Sequence, residues 1–202
     1  KTARRLNFFR FYSDIRRFGT RGVDVVITDF EPVSARIARR HRLPSIGIGH
    51  QYAFRNRIPI AGFDPAAMYV IRNFAPADYC LGLHWHHFDQ PILPPVIPNH
   101  MPVGLEPSPN KILVYLPFEE IEDIRRLLAP FETHLFFVYH QLPAASDEGH
   151  LRLRTYSRQG FLNDLSESSG VITNAGFELA SEALHLGKKI LVKPLARQME
   201  QI

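Results

Sequence analysis

The sequence predicts two α/β domains, each built on a mostly parallel sheet, joined by a proline-rich linker. Three observations carry this. Short β-branched runs alternate with helix-length amphipathic segments along the chain. Seven prolines crowd residues 91–109 and interrupt that alternation. Beyond them the alternation starts again. The domains are therefore expected at 1–98 and 109–202, with 99–108 as the linker.

In chain order, Leu6, Phe9, Phe11, Ile15 and Phe18 among arginines predict an amphipathic helix over 2–18. The aromatic run Phe8, Phe9, Phe11, Tyr12 is expected to pack on the sheet rather than on lipid. Gly19 and Gly22 end the helix, and Val23 to Thr28 reads as a buried parallel strand. Pro32 suits a first helical turn, so Val33 to His41 is a helix. Ser45 to Gly49 is the next strand, which completes a βαβ unit. An irregular loop is expected over 52–63, a helix from Asp64-Pro65 to Phe74, and a strand over Ala77 to Leu83. In the second domain strands are expected at 111–116, 135–139, 151–154, 171–173 and 189–192. Helices are expected at 119–131, 160–166 and 177–186.

Composition narrows the function. The chain has 202 residues, 45% hydrophobic and 22% charged, which excludes a disordered or collagen-like chain. One cysteine, Cys80, excludes an internal disulfide and reads as a buried, inert thiol. No apolar run reaches the roughly 20 residues of a membrane span. The net charge of +4 is uneven: residues 1–57 hold 13 Lys or Arg against 4 Asp or Glu. Such a patch attracts anions, whether phosphate esters or an acidic membrane surface. Nucleic-acid motifs are missing from the sequence, so a nucleic-acid partner is not expected. The run His84-Trp85-His86-His87-Phe88-Asp89 has metal-binding residue types. It runs straight into prolines without a second cluster, so it reads as a loop and no metal is expected.

Ligands of open parallel sheets sit at the carboxyl ends of the strands. The most informative such end is Thr173-Asn174-Ala175-Gly176-Phe177. Gly176 has no side chain to hold a ligand off the backbone. The helix after it offers unpaired N–H groups and a positive dipole end, which suit a phosphate. Glu182, on the second turn, is placed to accept hydrogen bonds from a ribose diol. Glu178, Glu182 and His185 are expected near one face of this helix, with Leu179, Ala183 and Leu186 on another. Gly187 can cap its end.

Gly176, Ser181-Glu182, Gly187, Pro194 and Glu200-Gln201 fall in a register that resembles the donor-nucleotide site of GT-B glycosyltransferases. The likeness is to the peptidoglycan N-acetylglucosaminyltransferase group and the UDP-glycosyltransferases. By that resemblance, Glu182 binds the ribose hydroxyls, the backbone of Asn174, Ala175, Gly176 and Phe177 holds the diphosphate, and Gln201 reaches the sugar. Phe161, in Gly160 to Leu165, matches an aromatic beside the nucleobase. Asp24 to Glu31 and Leu43 to Gln51 resemble the second half of an acceptor-binding domain. Glu178 departs from the pattern, which commonly has a neutral residue there. The opening Lys1-Thr2-Ala3 and the ending after a strand-like run suggest a fragment lacking parts of both lobes.

The resemblance implies a cytoplasmic, metal-independent, inverting glycosyltransferase that needs no cofactor beyond its nucleotide diphosphate-sugar. The acceptor is unknown, with a glycan or a lipid-linked sugar as the classes in view. Peripheral membrane contact is expected through the basic first third. The catalytic base is not identifiable; Asp29, Glu31 and His50, at strand tips, are the candidates, and all three are also residue types that cap helices and turns. A UDP-sugar 2-epimerase-like enzyme and a non-catalytic nucleotide-sugar-binding module are the alternatives.

Overall fold

The computed structural model describes residues 7–60, 62, 64–99, 101 and 106–195. The chain divides into two units, Lys1–Val96 and Ile97–Ile202. The division falls just ahead of the segment 99–108, whose last residue, Ser108, already begins a strand.

In the first unit, helix α1 (Phe8–Arg17) starts at Asn7, whose side chain accepts from the Arg10 N–H at 3.0 Å. It packs on helix α2 (Pro32–His41), with Ile15 buried. Phe9 is 91% exposed and Tyr12 is also exposed. The expectation that this aromatic run packs on the sheet fails for these two, because the contact runs through Ile15. Strand β1 (Val26–Thr28) is shorter than the β-branched run, since Val25 stays outside the ladder and exposed. Strand β2 (Ser45–Gly49) runs into a short helix α3 (His50–Ala53), whose last two residues fall in the loop expected over 52–63. Helix α4 (Pro65–Asn73) is capped by Asp64. Strands β3 (Tyr79–Leu83) and β4 (Ile92–Leu93) follow. The sheet order is β1-β2-β3-β4 and every pairing is parallel. Gly82 lets α3 sit directly on this sheet, since a Cβ there would lie 2.5 Å from the Ala53 Cα.

The second unit holds β5 (Ser108–Tyr115), α5 (Ile121–Leu128), β6 (Leu135–Tyr139), β7 (Ser146–Glu148) and β8 (Leu151–Arg154). It continues with α6 (Arg158–Glu167), β9 (Ser168–Thr173), α7 (Phe177–His185) and β10 (Lys189–Val192). The order is β10-β9-β5-β6-β8-β7, parallel except for the β7–β8 hairpin. Alternate residues along the strands feed two cores. Val114, Val138 and Leu153 meet Ile124 and Leu128 of α5. Leu113 and Val171 meet Leu162 and Leu165 of α6 and Leu179 and Ala183 of α7. Both faces of a parallel sheet are thereby covered, and the strand ends are left to carry function.

Candidate functional site

The carboxyl ends of β5, β9 and β10 meet at one end of the second unit's sheet. The Lys193 N–H donates to the Thr173 carbonyl at 2.8 Å, and Asn174 Nδ2 donates to the Lys193 carbonyl at 3.2 Å. These bonds tie the exits of β9 and β10 together. Lys193 Nζ pairs with Glu119 Oε2 at 2.6 Å. Asn174 is buried, and its Oδ1 has no hydrogen-bond partner among the described residues.

Ala175, at φ +60, turns the chain into Gly176, which caps α7 without a side-chain oxygen. Gly176 therefore offers no side-chain acceptor to the first amides of α7, which stand at the positive end of the helix. Among the described residues a Cβ on Gly176 would meet nothing within 4 Å. At the other end Gly187, at φ +65, closes the helix. Its N–H donates to the Leu184 carbonyl at 3.0 Å and the Lys188 N–H to the Ala183 carbonyl at 2.9 Å, a Schellman pair.

Glu182 lies on α7 with its side chain 8% exposed. Its Oε1 accepts from Nη2 of Arg158 at 2.9 Å, and the Arg158 side chain is 60% exposed. Glu178, Glu182 and His185, at helical spacing on one side of α7, differ in burial. Glu178 and His185 are exposed, whereas Glu182 is buried together with Leu179 and Ala183. Phe161 is half-buried, with its ring 5.5 Å from Tyr115 and 5.1 Å from Tyr139, both edge-on. Tyr156, exposed beside Tyr115 at 6.3 Å, is a neighbour that sequence reasoning missed. Arg158 was missed too; the capping Ser157 before it was the available signal. Gln201 lies outside the described residues.

The first-unit candidates separate. Glu31 caps α2: Oε1 accepts from the Val33 N–H at 2.8 Å and Oε2 from the Ser34 N–H at 2.7 Å. Burial pushes its carboxyl up, but those amides and the Ser34 hydroxyl outweigh it and hold the group below its usual range. Asp29 is exposed, with Oδ1 over the backbone of Gly49. His50 is buried, and its Nδ1 donates to the Leu83 carbonyl at 3.0 Å, since a carbonyl can only accept. Cys80 is half-buried rather than buried, and its Sγ accepts from Arg55 Nη1 at 3.0 Å. Among the described residues no three His, Cys, Asp or Glu side chains group to hold a metal. No helix among them is long and apolar enough to cross a membrane.

Two α/β units on parallel sheets, one with a glycine-capped helix that carries a buried acid, have the architecture of the GT-B glycosyltransferases. The chain belongs to glycosyl transferase family 1, whose family model matches residues 6–202. No curated protein matches it. Among solved structures it is similar to the glycosyltransferase SnogD from Streptomyces nogalater, at 15% identity and TM-score 0.50, over 91% of this chain and 59% of that one. It is similar to the glycotransferase of kitacinnamycin at 15% identity and TM-score 0.54, over 94% and 64%. It also resembles Arabidopsis thaliana UGT89C1 complexed with UDP, at 12% identity and TM-score 0.52, over 96% and 59%. At these identities the likeness is one of fold. The chain spans 59–64% of the length of these three proteins.

Proposed function

We propose that the protein takes part in transfer of a sugar from a nucleotide diphosphate-sugar to an acceptor hydroxyl, with its second unit as the donor-binding part. One observation carries this reading. Gly176 caps α7 without a side-chain oxygen, a Cβ there would meet nothing within 4 Å among the described residues, and a buried carboxylate follows on the second turn. The amides from Asn174 to Phe177 would hold the diphosphate, and Glu182 the ribose diol. Phe161, backed by Tyr115, would flank the base, and Gln201 would reach the sugar.

In the inverting, metal-independent form of this reaction a base takes the acceptor's hydroxyl proton. The freed oxygen attacks the anomeric carbon from the face opposite the leaving group. The bond to the diphosphate oxygen breaks, and the nucleotide leaves with that electron pair. Helix amides stabilise the charge it gains. Glu31 has both oxygens engaged in capping, so Asp29 and His50 remain the first-unit candidates for the base.

We place the reaction in the cytoplasm. The arginine-rich first unit, with Phe9 and Tyr12 exposed on α1 beside Arg10, Arg16 and Arg17, would touch an anionic membrane surface. Co-sedimentation with anionic against neutral vesicles tests that contact.

The central test is a thermal-shift panel of UDP, dTDP and GDP, repeated on Glu182→Gln. One nucleotide is expected to stabilise the wild type and to lose most of that effect in the variant. No shift with any nucleotide would reject the site. Product analysis without acceptor separates transfer from 2-epimerisation, and binding without turnover marks a binding module.

A further inference from the structure

We propose that Lys193 is a catalytic residue of the second unit: its ammonium leaves Glu119 and pairs with the β-phosphate of the departing nucleotide. This rests on the transfer reading above and adds to it the cation that balances the leaving charge.

Sheet order places the pair. Lys193 follows β10 and Glu119 follows β5, yet these strands are not neighbours, because β9 lies between them. Two strand spacings of about 4.8 Å separate such tips. Lys193 Nζ nevertheless meets Glu119 Oε2 at 2.6 Å. The ion pair therefore spans the exit of β9, where Thr173 hands the chain on to Asn174, Ala175 and Gly176 ahead of α7. That exit is the tip assigned to the diphosphate.

Both backbones are held. The Lys193 N–H donates to the Thr173 carbonyl at 2.8 Å, and the Lys193 carbonyl accepts from Asn174 Nδ2 at 3.2 Å. The Glu119 N–H donates to the Leu116 carbonyl at 3.1 Å, and the Glu119 carbonyl accepts from His140 Nε2 at 3.0 Å. Of the two side chains the lysine is the one open to a ligand, 60% exposed against 20% for the glutamate. Its flexible stem lets the ammonium swing while the backbone stays in place. An ion pair with so exposed a partner contributes little to folding. The fold therefore does not hold the ammonium on Glu119 against a more highly charged anion.

The reaction calls for such a group. As the bond between the anomeric carbon and the β-phosphate oxygen breaks, its electron pair stays on that oxygen, which gains a full negative charge. The start of a helix offers only about half an elementary charge. An ammonium at the same tip supplies what the amides lack, through charge-assisted hydrogen bonds to the phosphoryl oxygens. Lys193 donates hydrogen bonds there and transfers no proton. Glu119 keeps the cation beside the tip until the diphosphate takes its place.

The test compares diphosphates with monophosphates, since only the former carry the β-phosphate. The whole chain is titrated by calorimetry with UDP, dTDP and GDP, each beside its monophosphate. The wild type is expected to bind at least one diphosphate more tightly than its monophosphate. Lys193→Met should narrow that ratio about tenfold and leave the affinity for the monophosphate in place. Lys193→Arg, which keeps the cation, should hold most of the ratio. Glu119→Gln should act with the opposite sign, because the ammonium loses its competitor and the diphosphate binds more tightly. A purely structural ion pair would make Glu119→Gln and Lys193→Met weaken binding alike, and that result overturns the proposal. So does an unchanged ratio in Lys193→Met, or a wild type that binds diphosphate no better than monophosphate; in both cases the donor site stands without this cation. If no nucleotide binds the wild type, the transfer reading itself falls and takes the proposal with it. Should Lys193→Met fail to fold, Lys193→Gln carries the same comparison.

Discussion

Arg158, at the start of α6, donates through Nη2 to Oε1 of the buried Glu182 on α7, 2.9 Å away and 24 residues on in sequence. The pair gives the carboxylate a fixed partner in a site where an unpaired charge would be costly. The arginine side chain is 60% exposed and the glutamate side chain 8%. Removing either end therefore has different consequences. Glu182→Gln keeps the shape and one acceptor oxygen and is expected to retain the fold while losing most nucleotide stabilisation. Arg158→Ala leaves the carboxylate without its cation and is expected to lower stability by about 1–2 kcal/mol, discounted for the arginine's exposure. Urea unfolding of the two variants, each with and without UDP, checks both statements.

Gly176 offers a cleaner separation of fold from binding. Its φ of −63° is open to any residue, and among the described residues a Cβ there meets no atom within 4 Å. Gly176→Val should change the unfolding free energy by no more than about 0.5 kcal/mol. The added side chain would occupy the space assigned to the diphosphate. The nucleotide shift should vanish while the melting curve of the free protein stays put; a variant that still binds normally would move the diphosphate elsewhere.

Glu31 is a capping residue first. Glu31→Ala should cost about 1 kcal/mol, the usual worth of an N-cap. Its carboxyl sits below its ordinary value of 4.5 in the folded protein. The stabilisation is therefore complete above that value and is lost as pH falls through the lower, folded one. Melting temperatures between pH 7 and pH 3 should converge for wild type and variant at the acid end.

His84 titrates with the same sign for a different reason. Burial, with His50 and His86 nearby, holds its imidazole below the ordinary 6.5. The fold therefore favours the neutral ring. Stability is expected to be full above pH 6.5 and to fall as pH drops toward the folded value, because the unfolded chain takes the proton first. His84→Gln, which cannot titrate, should flatten this part of the pH–stability curve in a thermal melt series.

Gly82 tests how α3 reaches the sheet. A methyl group there would sit 2.5 Å from the Ala53 Cα, which is backbone and cannot rotate away. Gly82→Ala should destabilise the first unit by about 1–3 kcal/mol. Equilibrium denaturation is the measurement, and a neutral substitution would mean that α3 lifts freely from β3.

Period and punctuation, properties of neighbouring residues, were readable directly. The short apolar runs became β2, β3, β6 and β9, Pro32 opened α2, and Gly187 closed α7. The glycine bend at 176 and the second-turn carboxylate could be named for the same reason. Strand β7 could not, since Ser146, Asp147 and Glu148 show no apolar alternation and are held by Arg152, Arg154 and Arg125. The burial of Glu182 apart from Glu178 and the arginine beside it were likewise hidden. Sequence spacing fixes which residues can share an element. Which of them meets a partner from another element depends on loop closure and packing, and only the folded chain brings Arg158 to Glu182 or His50 to His84.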